Sequence, residues 1–208
     1  MKTILFQGDS ITDVGRSRSN DNERGLGYPH LLTAQIGLDA PEEYCFINRG
    51  ISGNRIVDLY ARIKADFINL NPDFLSILIG VNDVWHELGN RNGVDAEKFE
   101  MVYSLLIDEI QKACPDIKIL LMEPFVLPGT ATAENIEYFQ SEVSLRAEAV
   151  RRVAEKFNTG FLPLQQLFDA ACEKAPADYW LSDGVHPTAF GHEMIARAWY
   201  EKFAEMNK

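Results

Sequence analysis

Four short blocks, far apart in the 208-residue chain, hold residue types that together can move an acyl group. Gly8-Asp9-Ser10 supplies a hydroxyl, and Asn48-Arg49-Gly50-Ile51-Ser52-Gly53-Asn54 supplies glycine amides. Gly80-Val81-Asn82-Asp83 adds a side-chain amide, and Asp183-Gly184-Val185-His186-Pro187 a carboxylate and an imidazole. A serine hydroxyl is a weak nucleophile until a neighbouring base takes its proton. His186 suits that task, because an unperturbed imidazole titrates near pH ~6.5. Asp183 lies three residues earlier, with Gly184 between them permitting a tight loop, so its carboxylate can hold the far imidazole nitrogen and fix the tautomer. Pro187 disfavours helix at His186, which assigns the histidine to a loop. The developing oxyanion needs donors already in place; the amides of Ser10 and Gly53 and the side chain of Asn82 offer three.

These blocks must be brought together by the elements between them. Five short apolar runs, Thr3–Gln7, Tyr44–Ile47, Phe74–Ile79, Ile117–Met122 and Thr159–Leu162, alternate with segments of helical period. Unbroken apolar character, as in Phe74-Leu75-Ser76-Ile77-Leu78-Ile79, marks strands buried on both faces. Helical stripes recur at Ile56, Leu59, Tyr60, Ile63 and Phe67; at Phe99, Val102, Leu106 and Ile110 behind an Asp95 cap; at Ala147, Val150, Ala154 and Phe157; and at Met194, Ile195, Ala198 and Trp199. Strand–helix alternation over the whole length predicts a parallel sheet with helices on both faces. In such a sheet the loops after the strands share one edge, where ligands bind, and each block above follows a strand or precedes the last helix. No linker, repeat or composition shift divides the chain, so residues 1–208 are expected to form a single domain.

Composition narrows the partners. With 46% hydrophobic and 25% charged residues the chain is an ordinary globular one. Its 20 basic and 31 acidic residues give a net charge of −11, and the longest basic run is Arg151-Arg152. Nucleic acid and anionic membrane surfaces are therefore excluded as expected partners. No apolar stretch approaches membrane length, and the apolar start is too short for a secretory leader. Cys45, Cys114 and Cys172 are odd in number and widely separated, as reduced thiols would be, so a cytoplasmic location is expected.

Rival sites are weaker. Gly50-Ile51-Ser52-Gly53 nearly spells a nucleophile elbow, but Asn54 stands where that pattern needs glycine. Gly25-Leu26-Gly27 opens a dinucleotide fingerprint that His30 breaks. Asp183, His186 and His192 lack the spacing of a metal site, so neither metal nor cofactor is expected, and His192 reads as a packed or capping residue of the last helix. His30 and His86 have no partner identifiable in the sequence. Asp9, Asp13 and Asp83 read first as turn-bonding carboxylates, and Arg49 and Arg55 as salt-bridge partners. Asp9, Tyr28 and Trp85 are also candidates for touching substrate: the polar stretch from Thr12 to Glu23 and these aromatics follow strand ends where they can border the nucleophile. The Trp85 ring can stack on a sugar, though core packing is nearly as good a reading.

In order and in residues, Gly8-Asp9-Ser10, Gly53 within Gly-Ile-Ser-Gly-Asn, Gly80-x-Asn82-Asp83 and Asp183-x-x-His186-Pro187 resemble the SGNH/GDSL hydrolase superfamily over nearly the whole chain. The resemblance implies a three-layer α/β/α sandwich around a five-stranded parallel sheet in flavodoxin-like order. It implies catalytic Ser10, Asp183 and His186, with an oxyanion hole from Ser10, Gly53 and Asn82. Gly8-Asp9-Ser10-Ile11-Thr12-Asp13 and Gly80-Val81-Asn82-Asp83-Val84-Trp85 further resemble acetylxylan-esterase-like members, which implies a small acetylated sugar or xylo-oligosaccharide as substrate and leans toward a homo-oligomer. The competing expectations are a lysophospholipase or thioesterase with the same machinery, and a non-catalytic carbohydrate-binding module on the same fold.

Overall fold

A computed structural model describes all 208 residues. Five strands, β1 (Lys2–Gly8), β2 (Tyr44–Asn48), β3 (Phe74–Leu78), β4 (Lys118–Met122) and β5 (Gly160–Leu162), form one sheet in the order β2-β1-β3-β4-β5. Every pairing is parallel. The helices are α1 (Ser10–Asp13), α2 (Tyr28–Asp39), α3 (Ile56–Ala61), α4 (Ile63–Asp66), α5 (Val81–Asn90), α6 (Ala96–Ala113), α7 (Ile136–Lys156), α8 (Gln165–Cys172), α9 (Ala177–Trp180) and α10 (Ala189–Met206). This is the three-layer sandwich and the flavodoxin-like order that the family resemblance implies, built on the parallel sheet that the periodicity predicts.

Alternation along the strands divides the interior into two cores. Ile4, Phe6, Phe74, Leu78, Leu120 and Met122 face one way, onto Leu32 and Ile36 of α2 and Ile195, Trp199 and Phe203 of α10. Leu5, Leu75, Ile77, Ile119 and Leu121 face the other way, onto Ile56 and Leu59 of α3, Phe99, Leu106 and Ile110 of α6 and Val150 of α7. β3 is buried at every position, which is why its run is apolar without alternation. Asp95 caps α6 as expected, accepting from the Lys98 amide at 2.9 Å.

Two helical expectations change. The stripe from Ile56 to Phe67 is two helices, broken at Arg62. There the guanidinium reaches Asn54 Oδ1 at 3.0 Å and Gln7 Oε1 at 2.9 Å, tying the break to β1. On α10 the buried face runs through Ile195, Ala196, Trp199 and Phe203, leaving Met194 and Ala198 only half-buried. The face is turned because α10 covers the sheet and packs on α2 at once. No helix is long and apolar enough to cross a membrane.

The chain leaves β1 for β2 on one side and returns to β3 on the other. That reversal opens a crevice at the carboxyl ends of β1 and β3, the position ligands take in open α/β sheets.

Candidate active site

Gly8 ends β1 at φ +155°, and a Cβ there would strike the Leu78 carbonyl and the Thr12 side chain. Only glycine lets β1 turn this sharply, and the turn lifts Ser10 onto the sheet edge as the first residue of α1. Asp9 caps that helix, its Oδ1 accepting from the Ile11 amide at 3.0 Å. At the opposite side of the crevice the loop before α10 is clamped at its neck by an antiparallel Leu181–Pro187 bridge. Ser182 N–H donates to the His186 carbonyl at 2.8 Å, and Gly184 at φ +98° makes the tight tip. Leu127 and Ala131, in the irregular stretch after β4, donate to the carbonyls of Gly184 and Asp183 at 2.9 Å each. That stretch is the bed on which the loop lies.

The two sides meet at short distance. Ser10 Oγ lies 2.9 Å from His186 Nε2, and His186 Nδ1 lies 2.7 Å from Asp183 Oδ2. The other carboxylate oxygen accepts from the amides of His186 at 2.8 Å and Val185 at 2.9 Å. Burial alone would raise the Asp183 carboxyl, but the bonds from the His186 amide and imidazole and from Val185 outweigh it and hold it below the usual range. With an ionised carboxylate on Nδ1, the ring proton is held there and Nε2 is left to accept from Ser10. The amides of Ser10 and Gly53 have no partner within the protein. Asn82 Nδ2 gives one proton to the Asn54 carbonyl at 3.2 Å, which aims its amide and leaves the second N–H free. The arrangement can therefore take a proton from a serine hydroxyl and receive an oxyanion nearby.

These groups share a cleft of about 370 Å³ lined by Ser10, Ser52, Gly53, Asn82, Trp85, His86, Gly89, Asn90 and His186. A larger cavity, about 580 Å³, lies between α7 and α8 but contains none of Ser10, Asp183 and His186. Size does not locate the chemistry here; the serine–imidazole–carboxylate line does.

Neighbouring carboxylates have structural partners. Asp83 is fully buried and accepts the Ile56 amide with both oxygens, at 3.1 and 3.3 Å; burial pushes its carboxyl well up. Asp13 Oδ2 accepts from the Ser52 amide at 2.9 Å and the Ser52 hydroxyl at 3.0 Å, so that hydroxyl is paired with a carboxylate and not with an imidazole. Arg49 pairs with Asp21, and Arg55 with Asp58.

Two proposed substrate contacts are corrected. Asp9 is 1% exposed, and burial raises its carboxyl to about 7 against the opposing pull of the Ile11 amide and of His186. Tyr28 is wholly buried, its hydroxyl 3.0 Å from Thr12 Oγ1 and its ring edge-on to Phe6, because Pro29 and the apolar face of α2 carry it into the core. Neither reaches the cleft surface. The polar stretch over residues 12–23 does not line the cleft either, since Arg16 and Arg18 donate to the Gly50 carbonyl and draw it over the β1–β2 side. Trp85 does line the cleft, tilted 5.9 Å from the His186 ring and edge-on to Phe139. His192 is buried, and its Nδ1 accepts from the Tyr28 amide at 3.3 Å; burial lowers it to about 4. It braces the start of α2 and does not face Asp183, and no three His, Cys, Asp or Glu side chains are grouped to hold a metal ion.

His86, Gly89 and Asn90 are cleft residues that the sequence reading missed. Their signal was their spacing of four, seven and eight residues from Asn82, which places them on the same side of a helix.

A profile of the GDSL-like lipase/acylhydrolase family matches residues 6–194. The chain is 32% identical over 205 residues to an acetylxylan esterase of Geobacillus stearothermophilus, covering 94% of this chain and 90% of that one. The crystal structure of an acetylxylan esterase from that organism superposes with a TM-score of 0.86 over 97% of this chain and 93% of the other, at 32% identity. A GDSL-like lipase structure from Parabacteroides merdae reaches 0.91 at 40% identity, over 98% and 95% of the two chains.

Proposed function

The chain belongs to the GDSL-like lipase/acylhydrolase family and is a serine esterase, and we propose that it removes acetyl groups from sugar hydroxyls through an acetyl-enzyme on Ser10. The observation that carries the reading is the Asp183–His186–Ser10 line, at 2.7 and 2.9 Å, opening onto a cleft whose one large apolar side chain is Trp85.

Ser10 Oγ attacks the acetyl carbonyl carbon while His186 Nε2 takes the hydroxyl proton. Negative charge moves to the carbonyl oxygen, where the Ser10 and Gly53 amides and the free Asn82 N–H receive it. The ester bond then breaks, and the sugar oxygen leaves with the proton from His186. Water follows in its place, gives a proton to His186 and attacks the acetyl-enzyme; collapse releases acetic acid and restores the Ser10 hydroxyl. Asp183 stays ionised throughout and stabilises the imidazolium. Residues 1–208 act in this as one catalytic domain.

The acetyl preference rests on the cleft lining. Amides, imidazoles, glycines and hydroxyls favour a small acyl group and a hydroxylated leaving group over an alkyl chain. A panel of acetyl, butyryl and octanoyl esters, peracetylated xylose, acetylated xylo-oligosaccharides and a lysophospholipid tests this, with and without EDTA. Acetyl esters and acetylated sugars are cleaved fastest, and chelation changes nothing. Preference for octanoyl ester or lysophospholipid overturns the sugar reading and leaves the serine mechanism standing.

A further inference from the structure

Helix α5 carries the cleft beyond the oxyanion position. Asn82, Trp85, His86, Gly89 and Asn90 all line it, and they recur at steps of three and four, one face of the helix over its whole length. At 1.5 Å per residue this face runs about 12 Å past the amide that receives the oxyanion, longer than one pyranose ring. The other side of α5 is spent on the fold: Val81, Asp83 and Val84 are buried.

The far half of the face is open and unpaired. A Cβ on Gly89 would meet nothing within 4 Å, so the glycine leaves a shallow trough on an otherwise continuous helix surface. The half-buried His86 ring lies beside Gly53, and no hydrogen bond within the protein engages it. Burial, helped by the Arg55 charge, holds its pKa below the ordinary value, so at neutral pH the ring is uncharged and both donates and accepts. Asn90 is exposed at the end of the trough, with an amide that likewise donates and accepts.

We propose that this face is a second sugar subsite. With an acetylated ring held at Ser10 and against Trp85, the next ring of the same chain lies over Gly89, its hydroxyls bonded to His86 and Asn90. The enzyme then reads acetylated oligosaccharides of two or more rings in preference to the monosaccharide. An alkyl chain in the same trough would leave the imidazole and amide unpaired. This rests on the deacetylase reading above.

The test compares kcat/KM on acetylated xylose, xylobiose and xylotriose, with p-nitrophenyl acetate alongside, for the wild type, Gly89→Leu and Asn90→Ala. Leucine fills the trough at an exposed helical position where it is the better helix former, and Asn90→Ala is the milder probe at the same end. The wild type favours the xylobiose over the xylose ester, and Gly89→Leu lowers that ratio by about tenfold or more, mainly through KM, because binding remote from the bond is lost. Asn90→Ala lowers it by a smaller factor. Equal use of one- and two-ring esters by the wild type, or an equal fall on both in the variants, overturns the subsite while leaving the deacetylase reading intact. A wild type that cleaves p-nitrophenyl acetate but no acetylated sugar overturns both.

Discussion

The two walls of the cleft are built in opposite ways. Ser10, Gly53 and Asn82 follow three neighbouring strands, and the groups beneath them are buried: Asp9 under Ser10, with one carboxylate oxygen on the Ile11 amide and the other unpartnered; Asp83 beside Asn82, on the Ile56 amide; and Asn48, whose side chain bonds Thr12, Arg24 and Gly50. Asp183 and His186 sit on a loop, their side chains 26% and 38% exposed, and are held by bonds local to that loop and its bed. The carboxylates differ accordingly. Burial raises Asp9 and Asp83 in the strand wall, whereas hydrogen bonds lower Asp183 in the loop wall. A search for the most perturbed carboxylates would have chosen Asp83 and Asp9, the one bonded to the Ile56 amide and the other a helix cap. The one aligned with the imidazole is half-exposed and kept charged, because its task is to face a cation and not to carry a proton.

The contrast can be broken from either wall. Ser10→Ala has the largest effect: it removes the nucleophile, and ester hydrolysis falls by about 10⁶-fold. A fluorophosphonate labels Ser10 in the wild type and nothing in the variant; labelling at Ser52 would move the nucleophile. Asp183→Asn keeps the size of the side chain but not its charge, frees the imidazole to take the wrong tautomer and lowers kcat by about 10⁴-fold. A fall of tenfold or less would mean that the loop wall positions His186 without its carboxylate. Asn82→Ala removes one of three oxyanion donors and lowers kcat by about 10²–10³ with little change in KM. If KM rises instead at constant kcat, Asn82 binds the ground state.

The smallest effect is a slope. In the native state the Asp9 carboxyl is raised from 3.8 to about 7, so between those values the folded protein holds a proton that the unfolded chain has released. The contribution of Asp9 to stability is therefore present below pH ~4 and lost as pH rises toward 7. Asp9→Asn keeps an oxygen for the Ile11 amide and cannot ionise. Relative to the wild type it gains at least about 1 kcal/mol between pH 4 and pH 7, measured by urea unfolding at each pH. A difference that stays flat with pH would mean that Asp9 is already ionised in the fold.

Much of this was legible beforehand because it depends on short-range rules. Short apolar runs such as Phe74–Ile79 read as strands buried on both faces, too short for a helix, and alternation with helical stripes favours one hand of crossover. Gly8, Gly184 and Pro187 state backbone requirements directly. Tyr28 misled for the same reason: its place near a strand end was readable, but the direction of its ring depends on α2 packing against Phe6 and His192, residues distant in the chain. The break at Arg62 was equally hidden, since it depends on a guanidinium bonding to Gln7 in another element.

The sequence by itself determined the alternation of strands and helices, the order of the four blocks and the residue types that can carry an acyl group, since periodicity, turn chemistry and side-chain chemistry are local properties. Only the tertiary structure decided which of these groups meet. The 2.9 Å approach of Ser10 to His186 spans 176 residues, the burial of Asp9 and Tyr28 needs the sheet and α2 in place, and the cleft face of α5 exists only because β3 delivers that helix to the same edge as β1.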